Sequence, residues 1–202
     1  MDKLKKSLLI GLVLGDGHLN PNSGVALEIS HGHNQKFYVE WKARLIAKLL
    51  NCKEPKLYHR KDTDCYKISK GHRYFKILRK WVYEDKVKHF SKNILSYITP
   101  EAIAIWWMDD GTHAIERNKT TGKIASHKFG LATMTNEEDT QNIIDMFKEK
   151  YNIIMYPIKR KKKDGTIVYN LQFRTREGRK FSDLIRPHIL REFEYKIMKP
   201  GE

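Results

Sequence analysis

The sequence predicts an α+β fold of two αββαββ units related by a pseudo-twofold axis, each with a curved antiparallel sheet. Three observations predict it. Two uncharged apolar runs, Leu8-Leu-Ile-Gly-Leu-Val-Leu14 and Ala102-Ile-Ala-Ile-Trp-Trp-Met108, lead into Asp-Gly pairs, Asp16-Gly17 and Asp110-Gly111. The succession of elements after the first run returns after the second, which marks an internal duplication. The remaining alternating segments are short and separated by turn residues, as in sheets built from hairpins. The duplication divides the chain into residues 1–98 and 99–202.

The second run is the best-defined helix. Thr99 can cap its N-terminus, Pro100 suits its first turn, and Glu101 complements the positive end of the helix dipole. From Ala102 to Met108 there is no charge, so the helix should be buried all round. Asp109 and Asp110 then arrive where the dipole is negative and a carboxylate is misplaced, with Gly111 to stop the helix. Acids at the wrong end of a buried helix suggest use. The first run reads as a helix from about Leu4 to Gly15, with Gly11 and Gly15 on one face, so a second backbone can approach closely. Close contact would offset the roughly 1 kcal/mol that each helical glycine costs.

In the first half, His18–Gly24 reads as a turn-rich loop, Val25–Ser30 as a strand, and Lys36–Leu50 as an amphipathic helix with Phe37, Trp41, Leu45 and Leu49 on or near one face. Lys56–His59 and Tyr66–Ser69 are short strands around a polar loop, and a helix follows from His72 to about Val82. Glu84–Lys92, with Lys86, Lys88 and Lys92, leads into the junction Asn93–Ile98 between halves. In the second half, Thr112–Arg117 and Phe129–Met134 are strands around the turn Asn118–Gly122, and Thr135-Asn-Glu-Glu138 is a capping box opening a helix to about Tyr151. Ile153–Arg160 and Thr166–Arg174 are strands joined through Asp164-Gly165, a strong hairpin signal. A helix over about Glu177–Arg186 and a short helical ending at Ile189–Met198 complete the chain.

Composition limits the function. Hydrophobic residues make up 40%, enough for a packed core, and the apolar runs are too short to span a bilayer. Leu8–Gly17 follows a Lys-rich start but lacks a signal-peptide cleavage site. The 39 Lys and Arg against 24 Asp and Glu leave a net charge of +15, which points to a polyanion, most naturally nucleic acid. This charge is spread over many segments, unlike the single basic helix of a membrane-surface protein. Cys52 and Cys65 form neither a disulfide scaffold nor a close-spaced zinc pattern, which fits a reduced intracellular setting, a bacterial or phage cytoplasm or an organelle. His18, His31 and His33 do not read as a metal cluster, because no Cys or carboxylate is placed to complete one.

Packing the two apolar helices together would bring Asp16 and Asp110 to the bottom of their interface. Carboxylates there can bind oxygen-loving divalent cations, with the backbone carbonyls of Gly15 and Asp109 as further ligands. Mg²⁺ (or Mn²⁺) could then activate water and stabilise the leaving oxygen in phosphodiester hydrolysis. Two sites about a twofold match the local symmetry of duplex DNA. The basic sheets could follow the major groove for roughly one turn per half, on the order of 20 bp in all. By strand position the candidate DNA contacts are Glu28, Ser30, Arg60, Lys67, Arg117, Lys119, Arg160, Gln172 and Arg174, with the hairpin run Lys161, Lys162 and Lys163. Strand faces flanking that run carry Tyr156, Ile158 and Arg160, and Tyr169, Leu171 and Phe173.

Leu9-Ile-Gly-Leu-Val-Leu-Gly-Asp-Gly17 resembles the nine-residue LAGLIDADG motif, and Ile103-Ala-Ile-Trp-Trp-Met-Asp-Asp-Gly111 looks like its second copy. The stretch Ile98–Gly111 and the ending Leu184–Ile197 are similar to the monomeric two-motif LAGLIDADG homing endonucleases of the I-SceI-like subgroup. The resemblance covers nearly the whole chain. It implies a DNA-binding saddle and a site-specific, metal-dependent endodeoxyribonuclease, intron- or intein-encoded, that cuts both strands across the minor groove. It implies that Asp16 and Asp110 are the metal-binding catalytic acids, and that Lys88 and Lys196 are the basic residues near the metals, with Lys86 or Lys92 as alternatives to Lys88. Motif 2 departs from motif 1, with Ile105 and Asp109 where motif 1 has Gly11 and Gly15. That asymmetry favours a monomer on an asymmetric target over a dimer of identical halves. The same fold also serves RNA maturases, for which intron RNA would be a partner, and non-cleaving DNA-binding regulators. A regulator usually carries an added helix-turn-helix, for which no spare segment is seen.

Overall fold

Asp2 starts the fold: its carboxylate accepts the Lys5 N–H at 2.8 Å and caps helix α1, Lys3–Leu14. The computed structural model describes residues 2–22 and 24–201. Strands β1 (His18–Asn20) and β2 (Ala26–Gly32) follow, then a 3₁₀ turn into α2 (Lys36–Leu50), β3 (Leu57–Arg60), β4 (Cys65–Gly71) and α3 (Arg73–Val82). Two-residue strands β5 (Tyr83–Glu84) and β6 (Val87–Lys88) and helix α4 (Lys92–Ser96) lead to α5 (Pro100–Asp110). The second half continues with β7 (Gly111–Arg117), β8 (Ile124–Thr135), α6 (Glu137–Tyr151), β9 (Tyr156–Lys161), β10 (Ile167–Arg174) and α7 (Thr175–Ile185). Two 3₁₀ turns, Arg186–His188 and Arg191–Lys196, end it.

Each half holds one four-stranded sheet, in the orders β1-β2-β4-β3 and β7-β8-β10-β9, with every neighbouring pair antiparallel. The expected duplication of order is therefore present in the topology. Between the sheets, α1 and α5 are buried nearly all round, from Leu9 to Leu14 and from Ala102 to Met108. Gly11 makes the approach possible, since a Cβ there would lie 2.7 Å from the Ala102 carbonyl oxygen. The helix starts are tied as well. Ser7 Oγ accepts the Thr99 N–H at 2.9 Å and donates to Thr99 Oγ1 at 3.0 Å. The C-terminal segment closes the joint, with Phe193 packed 4.6 Å from the Tyr38 ring of α2 and the Trp107 indole donating to the Lys196 carbonyl at 3.0 Å. Among the described residues no helix is long and apolar enough to cross a membrane, and both cysteines are free.

Several local expectations are corrected. Thr99 holds the N-cap position of α5 but makes no side-chain cap bond, because its hydroxyl meets Ser7. Gly111 is extended (φ −81°), not a left-handed cap; it is glycine because a Cβ would overlap the Trp107 ring. The capping box slides by one residue: Thr135 is still paired to Tyr169 in the sheet, so Asn136 caps α6 by accepting the Asp139 N–H at 2.8 Å. The region read as turn-rich loop contains β1, whose three residues are too few to show alternation. The polar linker holds the β5–β6 hairpin, turned at Asp85 and Lys86 with φ of 43° and 69°, a conformation its sequence does not advertise. On α2 the buried stripe runs through Tyr38, Val39, Lys42, Ala43, Ile46, Leu49 and Leu50, so that of the predicted face Leu49 is buried while Phe37, Trp41 and Leu45 are only partly covered. Leu171 and Phe173 of β10 point into the core, away from the polar face.

The helix contact makes a prediction. In an open helix Gly11→Ala would gain about 1 kcal/mol; here the new methyl meets Ala102 backbone, and overpacking of that kind costs roughly 1–3 kcal/mol. Urea unfolding should show Gly11→Ala net destabilised, while Gly32→Ala, whose Cβ would meet nothing within 4 Å, stays close to wild type. A stabilised Gly11→Ala protein would disprove the tight approach.

Candidate active site and nucleic-acid interface

The site forms where α1 and α5 end together. Their close approach leaves no room for a side chain at Gly15, and the Asp109 carboxylate fills that place. Asp109 Oδ2 accepts the Asp16 N–H at 3.0 Å, and Oδ1 accepts Lys42 Nζ at 2.6 Å. The Lys42 and Asp109 side chains are both 0% exposed. Lys42 Nζ also lies 3.0 Å from His31 Nε2 and 4.2 Å over the Tyr38 ring. An ammonium can only donate, so Nε2 accepts and the imidazole proton sits on Nδ1, which lies 3.5 Å from Asp16 Oδ2. Burial and the nearby Lys42 charge push the His31 pKa down to about 4, so the ring is neutral at pH 7. His31, set aside with His18 and His33 for want of a carboxylate partner, therefore does have one beside it, Asp16.

Two further lysines reach the same floor from opposite sides. Lys88, delivered by the β5–β6 hairpin, donates to the Gly15 carbonyl at 2.7 Å. Lys196, on the last 3₁₀ turn, donates to the Met108 carbonyl at 2.7 Å and to that of Asp109 at 3.3 Å. The arrangement is pseudo-symmetric, since Gly15 and Asp109 occupy matching places before the two Asp-Gly pairs. Of the three lysines open to this position from sequence, the structure brings Lys88. Lys86 sits in the hairpin turn and Lys92, 77% exposed, lies toward Asp145.

Burial, then the Asp16 and Asp109 charges, push the Asp110 pKa up to about 7. The Asp16 carboxyl is raised by burial and by Asp109. Lys88 and Lys196 are held below the usual ammonium range, chiefly by burial. Carboxylates whose charge is poorly compensated, beside backbone carbonyls, make an oxygen donor set that suits a hard divalent cation. Asp16 and Asp110 would hold it through side chains. Asp109 could contribute only its carbonyl, because both carboxylate oxygens are already engaged. Donor atoms of Asp16, His31 and Asp109 also converge within 4.8 Å, but Lys42 already occupies His31 Nε2. A second convergence, His33, His59 and Asp64, lies exposed at the far end of the first sheet, with both imidazoles on Asp64 Oδ1 at 3.3 and 2.9 Å.

Strand register sorts the candidate contacts. In the first sheet the pairings His18↔Glu28, Glu28↔Ser69, Ser30↔Lys67, Tyr58↔Lys67 and Arg60↔Cys65 place Glu28, Ser30, Arg60 and Lys67 on one polar face. His18 and Tyr58 join them, although they were not expected. Glu28 is engaged by Lys67 at 2.9 Å and Arg60 by Asp62 at 2.7 Å. In the second sheet a groove of about 390 Å³ runs from Asp110 past Thr112, Lys128 and Gln172 to Arg160. Arg174, opposite Lys128, lies on the same face and pairs with Glu116 at 3.1 Å. Arg117 donates to Gly122 and closes its own turn, with Lys119 exposed at that turn's tip. Lys161 points off the opposite pleat from Arg160, and Lys162 and Lys163 crown the β9–β10 turn. Thr112, on β7, and Lys128, one residue before the predicted start of the next strand, were not among the expected contacts. Lys42 was not among the expected residues, yet its place in the stripe with Tyr38, Val39 and Ile46 could have exposed it.

Comparison with known proteins agrees with this geometry. The sequence profile of the LAGLIDADG DNA endonuclease family matches residues 6–181. The chain is 26% identical over 209 residues to a probable intron-encoded endonuclease 1 of Wickerhamomyces canadensis, covering 98% of this chain and 85% of that protein. It is 26% identical over 199 residues to Protein RecA of Mycolicibacterium flavescens, and there it spans only 45% of the relative's length. Among solved structures it resembles the homing endonuclease I-WcaI bound to its DNA recognition sequence, with a TM-score of 0.74 at 21% identity, covering 98% and 87% of the two chains.

The strained acid is measurable without any ligand. The Asp110 pKa lies at about 7, above the ordinary 3.8, so the stability this group contributes is full below 3.8 and is lost as pH rises through 7. Asn at 110 carries no such dependence. Without divalent cation, the Tm advantage of Asp110→Asn over wild type should widen by roughly 5 °C from about pH 4.5 to about pH 8.5. A gap independent of pH would show that Asp110 ionises normally.

Proposed function

The chain belongs to the LAGLIDADG DNA endonuclease family, and on that premise we propose that it is a site-specific double-strand DNA endonuclease of the intron- or intein-homing kind. One observation carries the reading. Two buried helices end on Asp16 and Asp110, each beside its own carbonyl and its own lysine, at the junction of two sheets with polar, basic faces. A duplicated station on a pseudo-twofold axis suits two phosphodiesters on antiparallel strands. A basic DNA binder with no chemistry would have no use for acids at that depth.

Hydrolysis in this family uses divalent cations, and the oxygen donors here suit Mg²⁺ or Mn²⁺. Bound cations would polarise water and stabilise the leaving oxygen. The protein's own part is to hold the donors and to place Lys88 and Lys196 where negative charge grows at phosphorus. Glu28, Ser30, Arg60 and Lys67 on one sheet and Arg160, Gln172 and Arg174 on the other face a duplex of roughly 20 bp, with Arg117, Lys119 and Lys161–Lys163 at the hairpin tips toward the phosphates. The chain acts as a monomer, its two halves, 1–98 and 99–202, doing what two subunits would otherwise do. The likeness to an intron-encoded endonuclease over most of that protein fits a gene carried in an intron. The match to less than half of a RecA fits the same kind of segment carried inside a host protein.

The direct test is selection of cleaved sites from a randomised duplex library with Mg²⁺, followed by plasmid linearisation at the recovered site. Asp16→Asn and Asp110→Asn should each lower double-strand cutting by roughly 10³-fold or more while gel-shift affinity in Ca²⁺ changes little. Lys88→Met and Lys196→Met should slow it by roughly 10²-fold. Full cutting by either Asn variant would rule out the two-station scheme. Tight binding of intron RNA with no DNA cleavage would favour the maturase reading instead.

A further inference from the structure

The two stations differ in one buried feature. Helices α2 and α6 both end on a left-handed Asn cap, Asn51 and Asn152, and counting back equal distances sets Lys42 against Ile143. The pairings His18↔Glu28 and Thr112↔Gly130 set His31, three residues past Glu28, against Thr133. Asp109 matches Gly15. So Asp109, Lys42 and His31 stand where the other side has Gly15, Ile143 and Thr133. Ile143 is buried and Thr133 is turned away, donating to the Tyr169 carbonyl.

The side chains of these three residues hold only one of the two acids, Asp16, although Asp109 adjoins Asp110 in the chain. Asp109 Oδ2 holds the Asp16 backbone N–H at 3.0 Å, and His31 Nδ1 stands 3.5 Å from its carboxylate. On the other side Gly15 has no side chain with which to hold Asp110. Lys42 and Asp109 come from opposite halves, so their ion pair also crosses the joint. A fully buried ion pair is rarely the most stabilising choice, and apolar residues of similar volume often do as well or better. Ile143 shows that the fold tolerates an apolar residue at the matching place.

We propose that the Lys42–Asp109 pair, with His31, is a positioning device confined to the Asp16 station, so that the two DNA strands are cut by stations that are built and held differently. The inference rests on the endonuclease reading above. Lys42 touches no substrate; it fixes the Asp109 carboxylate, which fixes the Asp16 backbone, while His31 orients the Asp16 side chain. Cleavage of one strand then depends on Lys42, and cleavage of the other does not.

The test transplants the second side onto the first with Lys42→Ile/Asp109→Gly. This removes both charges together and strands neither. Should that protein fail to fold, Lys42→Met/Asp109→Asn keeps the volumes. The first readout needs no catalysis: by amide hydrogen exchange, the Asp16 N–H should lose protection by roughly 10-fold or more, well beyond the change at the Asp110 N–H, which adjoins the substituted residue. The second uses duplex labelled on each strand in turn. One strand's cleavage should slow by roughly 10-fold or more beyond any slowing of the other, which the change at Asp109 beside Asp110 also touches, so that nicked circles accumulate. Equal slowing of both strands, no slowing of either, or unchanged Asp16 protection would each overturn the proposal. A wild-type chain that cuts no DNA would instead sink the endonuclease reading, and this inference with it.

Discussion

The structure depends on two helix backbones coming closer than side chains normally permit. Gly11 lies against Ala102, and Gly15 against the Asp109 side chain. That contact joins the halves and brings the helix ends together. Because α1 and α5 are apolar on nearly every side, the joint is also the centre of the core, with Trp106 and Trp107 both 1% exposed. Large aromatic surfaces are buried beside the joint, Trp106 against Phe90 and Trp107 against Phe129, Phe173 and Phe181. The sheets, loops and linker then arrange themselves around a fixed axis, and the carboxylates reach the axis as a consequence of helix length.

Placing acids at that spot raises an electrostatic problem. Asp16, Asp109 and Asp110 crowd at the negative ends of two helix dipoles, with the Asp109 side chain covered and that of Asp16 partly open to solvent. Lys42, Lys88 and Lys196 answer them, but unequally. Lys42 is spent on Asp109, which leaves that carboxylate with an ordinary structural partner. Burial, then the Asp16 and Asp109 charges, lift the Asp110 pKa to about 7, and Lys88, bonded to a backbone carbonyl, offsets only part of that rise. An acid kept uncomfortable in this way is prepared for an incoming cation, and the lysines on the carbonyls mark where positive charge is welcome. The long reach of these lysines comes from short irregular elements, a two-residue hairpin and a 3₁₀ turn, whose backbone can be shaped without disturbing either sheet.

Much of this was legible in the sequence, for definite reasons. Uncharged runs ending in Asp-Gly stand out in a chain that is 31% charged, and the turn at Asp164-Gly165 announces its hairpin directly. The alignment of Asp16 with Asp110 followed from the runs themselves. Other features carry no periodic signal. Strand β1 is three residues long, and the Asp85-Lys86 turn puts a lysine, which seldom takes positive φ, at its second position. Lys42 is the instructive failure: its charge argued for the surface, while its position in the α2 stripe argued for the core. The conflict is resolved only by Asp109, which lies 67 residues away and on another helix. A buried charge of this kind cannot be read from one helix, because what permits it is the partner.

That partner also explains what a single chain gains from carrying both halves. In a dimer of identical subunits, a residue added beside one acid is added beside the other, so a Lys–Asp pair across the joint would appear twice. Two such pairs would put an aspartate at both close-approach positions, where the space exists only because Gly15 has no side chain. The helices would be forced apart. Fusion removes the constraint: glycine on α1 makes room for Asp109 on α5, and Lys42 neutralises it once. The asymmetry of the core and the closeness of the helices are therefore one design, and a station that holds its acid more firmly than its twin follows from the same steric arithmetic.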